Sequence, residues 1–330
     1  VPPAALQTAV NCMNSALASG VVFDLSQITV YPQLTPLQTA AGLGISGQTD
    51  VPSDYTGATW FPLISGGTGN LSGMAGLLAA THAKKMCWVY IDVAGLGAEG
   101  QFAQSQVLTP RGLKLAGSVG LPVSASDLSP QAAAIKGCDA ITLLSNAQQD
   151  IQFIKAVRSM GNNVPISTVG VLSTTTIAQG LGQSVQNIYI ASSVNHNSPG
   201  YQQYEKDMQA AGYANTQFDA DNSVMGWIGT QEFAAIAKSL KDITRASVLA
   251  AYKKQSHVTT LGLTPPLNFT KTQVGAGGAF PRVFNDADAY YKYANGKLVF
   301  VGNPKSPFIP ALLGSNTSTD SDAAPFGANG

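Results

Sequence analysis

The stretch Cys87-Trp88-Val89-Tyr90-Ile91-Asp92, followed by Gly95-Leu96-Gly97 and the run Ala98–Gln106, decides how the chain is read. β-Branched and aromatic residues in a short apolar run predict a buried strand, the glycines a turn, and the amphipathic run a helix. The same unit recurs. Strands are predicted at Val21–Leu25, Leu43–Ser46, Lys114–Val119, Ala140–Ser145, Val164–Val169 and Asn187–Ala191. Helices fall between them at Leu71–Ala83, Asp150–Met160 and Pro199–Ala211. Alternation of this kind, up to about residue 255, is the pattern of right-handed βα units building parallel sheets.

The strand at Cys87 opens a second series, because the first ends in the Gly- and Ser-rich loop Ile64–Gly69 and a helix leads out of it. The reading is therefore α/β, with two Rossmann-like lobes joined by a hinge of crossing segments: residues 1–83 and 196–262 in lobe one, 84–195 and 270–303 in lobe two. Beyond Ala191 the sequence turns helical, with apolar residues at helical spacing in Ser223–Leu240 and Thr244 as N-cap of Arg245–Lys254. Tyr290–Tyr293 and Leu298–Val301 flank Asn295-Gly296, the pair that suits a type I′ hairpin turn. Residues 304–330 are polar and of low complexity, and are expected to form a flexible tail.

Composition narrows the function. The 330 residues carry 18 basic and 18 acidic side chains, with no basic run to release counterions from a phosphate backbone, so nucleic acid is an unsuitable partner. No apolar stretch reaches the roughly 18 residues of a membrane span. Val1-Pro2-Pro3 reads as the start of a trimmed or partial chain. Cys12, Cys87 and Cys138 form no CxxC pair and have no histidine set beside them, so no metal is expected. Either one disulfide with a leftover thiol or three buried thiols satisfies the count.

Two stretches resemble catalytic motifs. Gly95-Leu96-Gly97-Ala98-Glu99-Gly100 is a formal dinucleotide fingerprint after a strand, but the acid expected about 20 residues on is missing. Gly44-Ile45-Ser46-Gly47 lacks the spacing of a nucleophile elbow, and His82, His196 and His257 offer no evident base. His196 falls where the chain should pass between lobes. Trp88 and Trp227 read as core residues, and Trp60 as either a core residue or a ring lining a ligand.

The order of segments resembles the type I periplasmic binding proteins of ABC importers, in the branch of the leucine/isoleucine/valine-binding proteins. The residues that carry it are Val21-Val22-Phe23-Asp24-Leu25-Ser26-Gln27, Gly44-Ile45-Ser46-Gly47-Gln48-Thr49, Val89-Tyr90-Ile91-Asp92 with Gly95-Leu96-Gly97, and Lys136-Gly137-Cys138-Asp139-Ala140-Ile141 leading to Leu144-Ser145-Asn146. The resemblance implies capture of a small organic or amino-acid-like molecule between the lobes, without catalysis or cofactor. It also implies a monomer outside the cytoplasm, secreted, periplasmic or at the cell envelope, that meets the membrane only through an importer permease or a lost lipid anchor. A sensor domain of the same fold is the alternative, and a dinucleotide-dependent enzyme a more distant one.

Ligands of open α/β sheets sit beyond the carboxyl ends of strands. That assigns Ser26, Gln27, Gln48, Thr49 and Asp50 to one wall of the site, and Leu96, Gly97, Asn146, Gly170 and Val171 to the other. Gly170-Val171 stand where amino-acid binders of the family carry an acid for the ligand ammonium, which leaves Asp50 as the nearby acid. Leu96 replaces a common cleft aromatic, and the family's usual first strand and helix have no counterpart here. In the family's usual 2-1-3-4-5 strand order, Cys87 and Cys138 begin adjacent strands, which implies a disulfide between them.

Overall fold

Along Lys85–Ile91, Met86 and Trp88 point to one face of a sheet and Cys87 and Val89 to the other, and all four are buried, so both faces must be covered. The computed structural model describes residues 3–28, 31–93, 96–172, 174–294 and 297–326. Its first elements are α1 (Pro3–Ala18), β1 (Phe23–Gln27), α2 (Leu34–Ala40) and β2 (Gly44–Gly47). A second series follows: α3 (Gly66–Ala79), β3 (Lys85–Ile91), α4 (Leu96–Ala103), β4 (Lys114–Leu121), α5 (Ser129–Ala134), β5 (Ala140–Leu144), α6 (Ala147–Ser159), β6 (Ile166–Val169), α7 (Thr174–Leu181) and β7 (Ile188–Ser192). The chain closes with α8 (Pro199–Ala210), α9 (Asn215–Phe218), α10 (Asp221–Lys238), α11 (Arg245–Tyr252), β8 (Ala287–Ala294), β9 (Lys297–Phe300) and β10 (Ile309–Pro310).

Strands β4, β3, β5, β6 and β7 lie parallel in that order, and β8 adds antiparallel to β7. One face buries Cys87, Val89, Ile141 and Ile188 under Phe153 and Val157 of α6 and Ile177 of α7. The opposite face buries Trp88, Val169, Ala191 and Tyr290 under Leu71, Met74 and Leu77 of α3. A separate core forms around the parallel pair β1–β2, where Phe23, Phe61 and Leu63 meet Val224 and Ile228 of α10 and Val248 and Tyr252 of α11. Phe23 stacks on Tyr252 with ring centroids 4.2 Å apart.

These cores revise the boundaries drawn from sequence. Helix α3 packs on the second sheet, so the chain first passes between cores at Ile64–Ser65 and not at residue 83. The return passage follows Ser193. The last one lies at Asn285–Asp288 and not at 270, because Phe269 and Phe284 still belong to the first core, 5.0 Å apart. A glycine-rich helix has no strong apolar stripe of its own, and its partner had to be seen.

Residues 304–326 also depart from the expected flexible tail. Phe308 and Leu312 are buried, β10 pairs with Ala287–Asp288, and Ser315 Oγ donates to Asp286 Oδ1 at 2.7 Å. Farther on, Asp322 lies 2.7 Å from His257 and Phe326 meets Trp227 edge-on. The segment lacks a core of its own but borrows two. Thr244 caps α11 by accepting from Ser247 N at 3.1 Å, as the sequence suggests. The antiparallel β8–β9 hairpin also forms, although its Asn295-Gly296 turn lies outside the described residues.

Candidate functional site

Gln27 pairs with Gly47 across the parallel strands β1 and β2, so Ser26-Gln27 and Gln48-Thr49-Asp50 leave the same carboxyl edge of the first sheet. The side chains of Ser26 and Gln27 lie outside the described residues. Gln48 Nε2 donates to Asp50 Oδ1 at 2.6 Å, while the buried Gln48 Oε1 and Thr49 Oγ1 have no hydrogen-bond partner among the described residues. Each such group costs about 1–3 kcal/mol. The Thr49 carbonyl accepts from Gly67 N at 3.0 Å and from Tyr55 Oη at 3.1 Å. Gly66 adopts φ +70°, and a Cβ there would overlap Thr49. Only glycine lets α3 begin so close to the β2 turn.

Asp50 follows next, close to the Gly67 N–H that the Thr49 carbonyl accepts. Burial pushes its carboxyl up to about 7; the Gln48 hydrogen bond opposes that shift, the neighbouring Asp54 charge adds to it, and the Gly67 N–H opposes it. The group therefore stands near its own midpoint at neutral pH, and a cation beside it would hold it ionised.

On the other wall, Leu96-Gly97, Asn146 and Gly170-Val171 follow the carboxyl ends of β3, β5 and β6. Asn146 caps α6, its Oδ1 accepting from Gln149 N at 3.0 Å. Asp150, fully buried one turn into that helix, accepts from Ser145 at 2.5 Å and from Thr168 at 2.7 Å. It fastens the ends of β5 and β6 together. Gly95 lies outside the described residues, but the other glycines of the formal dinucleotide loop answer a packing need. A Cβ on Gly97 would stand 2.9 Å from Tyr90 Oη, and one on Gly100 would overlap the Trp88 ring. Trp88 Nε1 donates to Leu96 O at 2.9 Å. These glycines bring α4 onto two aromatic rings, which explains them without a phosphate.

The two walls approach through residues that sequence reading passed over. Tyr55, bonded to Thr49, meets Phe280 edge-on at 4.9 Å, and Phe280 meets Phe102 of α4 at 5.1 Å. Asp219 of the first lobe accepts from Thr175 N, at the start of α7 in the second, at 2.7 Å. Asp221 accepts from Ser193 N at 2.9 Å, and a Cβ on Gly170 would lie 2.5 Å from its Oδ2. The carboxylate of α10 thus fills the space that a side chain at 170 would occupy. Asp219 and Asp221 look like ordinary helix-start acids in sequence, and only the packing of α10 reveals their reach.

His196 lies just past the second passage, stacked on Tyr201 at 4.3 Å. Its Nε2 is 3.2 Å from Ser192 Oγ and 3.1 Å from Asp221 Oδ1. A relay needs the serine and the acid on different ring nitrogens, so these three residues do not make a nucleophilic triad. No three His, Cys, Asp or Glu side chains converge as metal ligands among the described residues. Trp60 and Trp88 are core residues, fully enclosed. Cys87 and Cys138 are disulfide-bonded, their Cα atoms 5.7 Å apart.

Two parallel α/β sheets whose carboxyl edges face a shared boundary, crossed three times by the chain, define a bilobal solute-binding fold. The chain belongs to the periplasmic binding protein family, whose sequence profile matches residues 7–279. It has the type I fold, and its structural likenesses include binding proteins of branched-chain amino acid ABC transporters. A substrate-binding periplasmic protein of Ralstonia solanacearum superposes with a TM-score of 0.72 at 17% identity, over 89% of this chain and 84% of that one. A branched-chain amino acid ABC transporter protein of Thermus thermophilus, with bound valine, gives 0.72 at 13% identity over 91% and 82%. The leucine-binding protein LivK of Thermotoga maritima gives 0.70 at 14% over 91% and 85%. Identities this low speak for the fold alone. No curated protein matches the chain in sequence. No helix among the described residues is long and apolar enough to cross a membrane.

Proposed function

We propose that the chain captures a small, amino-acid-like organic solute outside the cytoplasm, between Gln48-Thr49-Asp50 and the loops after β3, β5 and β6, and delivers it to an ABC importer permease. The observation that carries this reading is the pair of buried, unpartnered atoms Gln48 Oε1 and Thr49 Oγ1 beside the Asp50 carboxyl. Buried polar groups are retained without partners where a ligand completes them. Asp50 supplies the acid that Gly170-Val171 lack, so a ligand ammonium is the group it would meet. Ser26, Gln27, Leu96, Gly97 and the Gly170–Val171 backbone would close around the rest, and lobe closure would strengthen each contact by excluding water.

Calorimetric titration with a panel of amino acids, aromatic acids and dinucleotides tests the reading. A saturable complex with an amino or aromatic acid, weakened at least tenfold in Thr49→Val, is expected. Binding of a dinucleotide alone, or tight binding indifferent to Thr49→Val and Asp50→Asn, would overturn it.

A further inference from the structure

The second lobe has another concavity, at the end of the sheet opposite the loops just described. A cavity of about 600 Å³ lies under the carboxyl end of α3, bounded by Gly76, Ala80, Leu113, Val301 and Ile309. Its volume falls within the roughly 300–1,000 Å³ of small-molecule sites. His82 and Lys84, from the short loop between α3 and β3, and Arg111, from the turn before β4, reach it, and its lining contains no acid. None of the three takes part in an ion pair among the described residues. At the floor lies Tyr290, 4% exposed, whose hydroxyl makes no hydrogen bond among the described residues. Gly76 makes room for it: a Cβ at that position would stand 2.7 Å from Tyr290 Oη. Burial holds the phenol protonated far above its ordinary range, so it can only donate or accept as a neutral hydroxyl.

Apolar walls, a buried unpaired hydroxyl and unpaired cations at the mouth suit a molecule that is apolar at one end and anionic at the other. We propose that this cavity is a second binding site, for a soluble amphipathic carboxylate. The carboxylate meets Lys84 and Arg111, with His82 beside them, and the apolar body rests along Leu77, Leu113 and Val301. Lys84 precedes β3 and Arg111 precedes β4, whereas the Leu96 wall follows β3, so the two sites stand about 20 Å apart, a strand's length. The proposal does not depend on what the interlobe boundary binds.

Decanoate, below its micelle concentration, is the probe, with decanol as its uncharged counterpart and calorimetry as the readout. Decanoate should bind at one saturable site, lose at least tenfold in affinity in the double variant Lys84→Ala/Arg111→Ala, and lose several-fold in Tyr290→Phe. Thr49→Val should leave that affinity unchanged, which separates this site from the first. The two cations are exposed, so their removal leaves the core intact, and circular dichroism checks it. Equal affinity for decanol, no saturable decanoate binding, or indifference to the double variant would overturn the proposal. So would binding to phosphatidylglycerol vesicles that the double variant abolishes while free decanoate fails to bind, because the surface would then read a lipid bilayer.

Discussion

Ser65 Oγ lies 2.9 Å from Asp288 Oδ1, and these two residues belong to the first and last passages of the chain between its cores. Ser193, from the second passage, lies 2.6 Å from Ser65. Asn70 Oδ1 is 3.0 Å from both serines. All three passages therefore meet in one buried polar cluster. Asp288 Oδ2 has no hydrogen-bond partner among the described residues, and burial pushes this carboxyl up to about 8.

Gly73 of α3 faces that carboxyl, and a Cβ there would overlap Asp288. Gly73→Ala is expected to lower stability by about 1–3 kcal/mol, the usual cost of overpacking a filled interior. The loss should shrink when Asp288 is Ala. Urea unfolding of the two single variants and the double variant measures the coupling, and additive effects would contradict the packing described.

Glu232 is fully buried in α10 with neither carboxyl oxygen bonded among the described residues, and burial pushes it up to about 8. Asp150 and Asp50 are raised to about 7 and Asp24 to about 6, again chiefly by burial. Carboxyls whose folded values are raised stabilise fully below their unfolded pKa, near 4, and lose that contribution as pH climbs through the folded values. The Tm should therefore fall between pH 5 and pH 8.5. Glu232→Gln should raise the Tm at pH 8.5 by ~3 °C or more and change it less at pH 5, as differential scanning calorimetry would register.

Asp50 is ionised mainly above its raised value of about 7. A ligand that presents an ammonium to it should accordingly bind more tightly at pH 8 than at pH 6, in proportion to the ionised fraction. Asp50→Asn should flatten that dependence and weaken binding at least tenfold at pH 8. Titration at both values provides the comparison.

The Cys87–Cys138 bond closes a loop of 51 residues between adjacent strands, and Cys12 is a free, exposed cysteine. Cys138→Ser should cost about 2–4 kcal/mol, chiefly through the unfolded chain. Thiol titration in denaturant should find one reactive group before reduction and three after it. Three before reduction would remove the bond from the fold.

The central sheet was legible because each strand is short, β-branched and bounded by glycine, as at Cys87–Asp92 and Ala140–Ser145, and such runs form strands in any context that buries both faces. Helix α3 was misplaced because Gly66, Gly67, Gly69, Gly73 and Gly76 carry no side chains with which to signal a partner. The carboxyl-edge positions of Gln48 and Asn146 followed from strand order alone. Which atoms beside Gln48 are paired did not, since the Thr49 carbonyl takes its donors from Tyr55 and Gly67, farther along the chain.

The sequence by itself determined the alternation of strands and helices, because that rests on local periodicity and spacing, and its resemblance to a known family implied the strand order. Only the tertiary structure decided that α3 belongs to the second lobe, that the last 20 or so described residues bind back onto both cores, and that Ser65, Ser193 and Asp288 form a single junction. Each of those depends on contacts between residues far apart in the chain, whose energy arises from burial and pairing that no local pattern encodes.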